Sequence, residues 1–148
     1  MVDYMRAVLF ILFAASSQAG EPYGVWKVNP THSTPAENRK SVTLRIESHA
    51  QGEVFTLDTV APDGRASTSS TILYFDGKAR DFQDAGCSGT QSSRRVDGRT
   101  IEILRDCGTG RQIRLVRRMT PQGVLIFEVF EQFPGGRHSE RRLLMKKE

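Results

Sequence analysis

Two kinds of residue in this chain could do chemistry: an arginine on an apolar face and a pair of cysteines. Between Arg111 and Met119, Ile113, Leu115, Arg117 and Met119 share one side of an alternating pattern, while Gln112, Arg114 and Arg118 share the other. Alternation is the period of a strand, so the side carrying Ile113, Leu115 and Met119 turns toward a core and takes Arg117 with it. A guanidinium placed there can hold a ligand carboxylate through two parallel hydrogen bonds, which offsets the cost of removing both charges from water. The other reading sets Arg117 at a rim, with its stem on apolar surface and its head in solvent. Tyr74 and Phe127 are the accompanying aromatic candidates for the walls of a ligand site, and both serve equally well as core packing.

The cysteines are read through register. Asp97-Gly98, between Gln91–Val96 and Thr100–Cys107, is the strongest hairpin signal in the chain. As a two-residue turn it sets Val96 opposite Arg99, so paired positions sum to 195; a one-residue bulge makes the sum 194. Cys87 and Cys107 sum to 194 and are predicted to face each other and bond, two free buried thiols being the alternative. Closing a loop of that size contributes about 3 kcal/mol on the chain-entropy model.

No catalytic or metal-ligating set accompanies these residues. His32, His49 and His138 lie far apart, without the spacings that bring imidazoles onto one ion, and each reads as a surface group. Ser67 to Thr71 is rich in hydroxyls, but no Gly-x-Ser-x-Gly elbow exists. Glu128 and Glu131, three apart in a strand, fall on opposite faces and cannot form an acid pair by themselves. No catalytic residue, metal or cofactor is expected.

The elements that must position these groups are strands. Ser41 to His49 alternates cleanly, with Val42, Leu44 and Ile46 on one face. Similar runs cover Tyr23–Asn29, Glu53–Val60, Ala66–Phe75, Arg80–Gln83, Arg111–Met119, Val124–Phe133 and Arg137–Lys146, punctuated by Gly, Pro and Asp-Gly turns. Thr31–Arg39 holds Pro35 and few apolar residues and reads as a loop. About ten strands joined by short turns form an antiparallel up-and-down meander, and closure of that meander into a β-barrel removes its exposed edges. The 148 residues suit one domain.

Ahead of the strands stands a leader. Ala7 to Ala15 is an unbroken apolar stretch, long enough for a signal-peptide core and too short to span a membrane. Ser17-Gln18-Ala19 supplies the small residues that signal peptidase reads, so residues 1–19 are predicted to be removed and residues 20–148 to form the exported domain. No cysteine follows the cleavage point, which argues against a lipid anchor. The formal charge of +4 is carried mainly by arginine, much of it between Arg94 and Arg118. Interspersed acids, and the lack of a phosphate loop or an aromatic RNA-binding motif, make this a solvated sheet face and exclude nucleic acid as the expected partner.

Gly24-Val25-Trp26-Lys27-Val28-Asn29-Pro30, followed by Ser33, resembles the Gly-x-Trp-Lys-x-Asn opening of a family of small exported bacterial lipocalin-like proteins. Tyr74-Phe75-Asp76-Gly77-Lys78 is a second match, and the spacing of the two blocks agrees. The resemblance implies a barrel related to lipocalins and fatty-acid-binding proteins. Gly24 then lets the backbone turn tightly, and Trp26 plugs one end. It also implies an arginine over that ring near the chain end, with Arg141 or Arg142 the match by position; a core tryptophan without an arginine partner is the alternative.

The expectation is an exported, non-catalytic, lipocalin-like barrel holding a small hydrophobic or anionic ligand in its lumen. One rival is a protein-interaction module with a filled barrel and an arginine-rich face; an enzyme is the other. A lumen of roughly a few hundred Å³ separates the carrier from the filled module.

Overall fold

The computed structural model describes residues 21–35, 38–84 and 86–148, so the leader predicted over 1–19 lies outside the described residues. The alternating segments form ten strands: β1 (Gly24–Val28), β2 (Ser41–His49), β3 (Gly52–Val60), β4 (Ala66–Leu73), β5 (Arg80–Asp84), β6 (Cys87–Arg95), β7 (Thr100–Asp106), β8 (Gln112–Met119), β9 (Leu125–Gln132) and β10 (His138–Lys147). Every ladder between them is antiparallel, and the order around the sheet is β4-β3-β2-β1-β10-β9-β8-β7-β6-β5. The first and last strands pair, Trp26 with Lys147 and Val28 with Met145, so the meander curls into an all-β, nearly closed up-and-down barrel.

Among the described residues, β4 and β5 are the sequence neighbours that share no ladder. That seam is stitched by side chains: the Ser69 hydroxyl donates to Asp84 Oδ2 at 2.8 Å, and Gln91 Nε2 donates to Thr71 Oγ1 at 2.9 Å.

Register decides what faces the lumen, because neighbours on paired strands point the same way. Val42, Leu44 and Ile46 of β2 sit beside Phe55 and Leu57 of β3, and Leu115, Arg117 and Met119 of β8 beside Leu125, Phe127 and Val129 of β9. These residues form the core with Trp26, Leu73, Ile101, Ile103, Leu143 and Met145. The opposite faces meet solvent or one another's charges. On the outer face of β7, Glu102 is only 5% exposed because Arg94 and Arg114 lie across it, at 2.8 and 2.7 Å. Those hydrogen bonds, that of Arg94 first, hold its carboxyl below the ordinary glutamate range.

The two ends of the barrel differ. At one, Trp26 is 1% exposed and donates its indole N–H to the Pro22 carbonyl at 2.7 Å. The cation over its ring is Lys147, with Nζ 5.8 Å from the ring centre, and this corrects the assignment to Arg141 or Arg142. The register explains the difference, since Lys147 is the residue paired with Trp26, whereas Arg142 pairs with Glu128 and Arg141 with Val129 far along the strand. Gly24 has φ of +129°, and a Cβ there would stand 2.7 Å from Lys147 Cε, so glycine both makes the turn and leaves the lysine stem its path.

The hairpin around Asp97-Gly98 also departs from expectation. Thr90 pairs with Asp106 and Arg95 with Ile101, so paired positions sum to 196, not 195 or 194. The turn is longer than two residues: Val96 and Asp97 both donate backbone N–H to the Thr100 carbonyl. Cys87 and Cys107 nevertheless form a disulfide, with Cα atoms 4.7 Å apart. They do so beyond the regular ladder, where the Asp106 backbone runs so close to Gly89 that a Cβ there would overlap the Asp106 carbonyl. The two-residue slip lies at that glycine. The pairing is as expected, and the register that suggested it is replaced.

Candidate functional site

Within the barrel, toward the end opposite Trp26, lies a chamber of about 300 Å³. Its walls are Leu44, Phe55, Leu57, Leu115, Phe127 and Leu143, with Val42, Ile113, Val129 and Met145 completing them. Phe55 and Phe127 face each other with ring centres 5.6 Å apart. A size near the lower bound of small-molecule pockets and an apolar lining suit a short hydrocarbon segment.

The outer part of the same chamber is charged. Arg39, Arg105, Arg111 and Arg141 line it together with Asp84 and Glu131. Each comes from a strand end or the residues beside it, where the inward face of an apolar strand reaches the mouth. Arg105 follows Ile101 and Ile103 on β7, Glu131 follows Phe127 and Val129 on β9, and Arg141 precedes Leu143 and Met145 on β10.

These arginines are held in different ways. Arg111 clamps the mouth: Nη2 donates to Glu131 Oε1 at 2.7 Å and Nη1 donates to the Gly86 carbonyl. Its Nε is buried with no acceptor. Arg105 donates Nε to Gln91 Oε1 at 2.9 Å and lies over the Phe82 ring, 4.4 Å from its centre. Gln91 in turn reaches Thr71 across the seam, so the plane of Arg105 is fixed from both sides. Burial lowers the Arg105 pKa to about 10, partly countered by the field of Asp84, and the group stays charged at neutral pH. Among the described residues, no hydrogen bond or ion pair engages the terminal nitrogens of Arg105 or the guanidinium of Arg141.

Arg117 does point inward, but below the chamber. Its two terminal nitrogens donate to Glu53 Oε2 and Oε1 at 2.7 and 2.9 Å, with side chains 4% and 0% exposed. The carboxylate that its fork meets is therefore supplied by the protein, and neither member of the pair lines the chamber. Phe127 lines the chamber. Tyr74 lies elsewhere, in a surface depression beside the seam with Lys78, and the Arg80 guanidinium stacks 3.8 Å from its ring centre. Among the described residues, no group of His, Cys, Asp and Glu is placed to hold a metal ion.

Sequence reasoning missed Arg105, Arg111, Arg141, Glu131 and Glu53. The signal that singled out Arg117 was present for all five: each stands two residues from an apolar residue of an inward face.

Compared with known proteins, the chain matches no family model, and no curated protein matches it. Among solved structures it is similar to a variant of the fluorescent protein UnaG, with a TM-score of 0.56 and 16% identity over 85% of this chain and 95% of that one. At that identity the likeness shows the fold, a barrel of the lipocalin and fatty-acid-binding type.

Proposed function

We propose that this protein is an exported, non-catalytic carrier of a small amphiphile, with the apolar part in the chamber and the anionic end at the arginine-lined mouth. One observation carries the reading: an apolar chamber of about 300 Å³ opens onto the terminal nitrogens of Arg105 and the guanidinium of Arg141, for which no acceptor stands among the described residues. Burial of Arg105 disfavours its charge, so an anion entering there stabilises it, and the exposed Arg141 adds a second donor from the rim. The head site thus lies at Arg105 and Arg141 instead of Arg117, and Phe127 keeps its place as a wall of the tail site.

The chamber also speaks for a carrier over an interaction module with a filled barrel. Three of the outer arginines that would greet an acidic partner are engaged by the chain's own carboxylates, Arg94 and Arg114 by Glu102 and Arg118 by Glu128. The disulfide fits an oxidising compartment, which supports export.

Calorimetric titration with decanoate and decanol tests the reading. Decanoate is expected to bind at one site with a negative heat-capacity change, and Leu57→Trp, which fills the chamber, to abolish it. Unchanged binding in Leu57→Trp, or no binding of either compound, would overturn it.

A further inference from the structure

We infer that the head site takes a dianion, an alkyl phosphate monoester in preference to a carboxylate; this rests on the carrier reading above. Four arginines and two carboxylates line the mouth, leaving two positive charges over. Arg111 is engaged by Glu131 and Gly86, and Asp84 receives the Ser69 hydroxyl and faces the field of Arg105. Arg105 and Arg141 are the rim arginines whose terminal nitrogens meet no acceptor among the described residues.

The donors show the same excess as the charges. Arg105, fixed by Gln91 and Phe82, offers its outer edge to the chamber, and Arg141 adds a second fork from the opposite side of β8 and β9. The one buried side-chain polar atom without a partner among the described residues, Nε of Arg111, stands in the same rim. A carboxylate has two oxygens and one charge, and a single fork satisfies it. It would leave the second guanidinium unmatched. A phosphate monoester brings three acceptor oxygens and a charge near −2 above its second pKa of about 6, which suits two forks at once. The apolar chamber beneath distinguishes an alkyl ester from free phosphate.

Titrations of the purified protein with decyl phosphate, decanoate, decanol and inorganic phosphate test this. Near pH 8, decyl phosphate is expected to bind at least about tenfold more tightly than decanoate, and the advantage to shrink below about threefold near pH 5, where the head is a monoanion. Arg141→Gln should weaken decyl phosphate binding near pH 8 by at least about tenfold and decanoate binding by less, so that the ratio falls toward one. A ratio near one at the higher pH, a ratio independent of pH, or an unaltered ratio in Arg141→Gln overturns the inference and leaves the carrier reading intact if decanoate still binds. Inorganic phosphate binding as tightly as decyl phosphate overturns the alkyl part. Failure of decyl phosphate, decanoate and decanol alike overturns both.

Discussion

Removing either member of the Arg117–Glu53 pair leaves the other charge buried without its partner, the costliest kind of side-chain loss. Arg117→Met or Glu53→Gln alone should lower stability by about 3–5 kcal/mol, and the double variant Arg117→Met with Glu53→Leu should recover most of that. Urea unfolding of the three proteins measures it; a double variant as weak as the singles would mean that the pair itself is strongly stabilising. The inward direction of Arg117 was legible in the sequence, because parity along one strand sets direction. Its partner was not. Glu53 lies 64 residues away on β3, across the barrel, and which wall faces which depends on how far the whole sheet curls. Arg105 was passed over, and Arg141 was assigned to the Trp26 ring, for a related reason: near the mouth an inward arginine and a solvated one have the same local pattern.

At the scale of strands and hairpins, the sequence exposed the number and order of elements well. Ser41–His49 has the same bounds in both readings, and the Thr31–Arg39 segment contains no helix among its described residues. Register was less accessible. Asp97-Gly98 marks a turn but not its length, and one more turn residue shifts every pairing above it. The disulfide survived because the chain slips again at Gly89. Gly89→Ala is therefore expected to unsettle the β6–β7 ladder and slow oxidation of Cys87 and Cys107, read as extra alkylation by mass after refolding. Replacing both cysteines by serine should lower stability by about 3 kcal/mol. Across β6, β7 and β8, Glu102 ties Arg94 to Arg114. Its folded pKa is depressed, so its contribution is fully present above the ordinary value of 4.5 and is lost as pH falls through the folded value. Asp58, held down by the Thr68 hydroxyl, and Asp76, held down by Arg80, act in the same sense starting from 3.8. Urea midpoints should thus fall as pH drops below about 4.5, and Glu102→Gln should make that fall shallower.

For the whole molecule, the composition and turn spacing led to a barrel, and the neighbour in structure space agrees. Export rests on residues 1–19: N-terminal sequencing of protein recovered outside the cytoplasm should begin at Gly20 or Glu21, and a form retaining Ala7 to Ala15 would contradict it. The opening of the lumen was beyond sequence reasoning, since a cavity is what side chains from all ten strands fail to fill. The seam between β4 and β5 has a consequence of another kind. The two strands adjacent in sequence are the ones that share no ladder, while β1 and β10, at opposite ends of the chain, are joined by one, with Glu148 donating its N–H to the Val25 carbonyl at 2.8 Å. The order in which the polypeptide is threaded is thus separable from the wall it builds. A circular permutant that links the end of β10 to the start of β1 and opens new termini between the exposed Lys78 and Ala79 would break no strand ladder and would leave the Asp76–Arg94 bridge on one end. It should fold to the same barrel, with its free ends at the one place where the ring was already open.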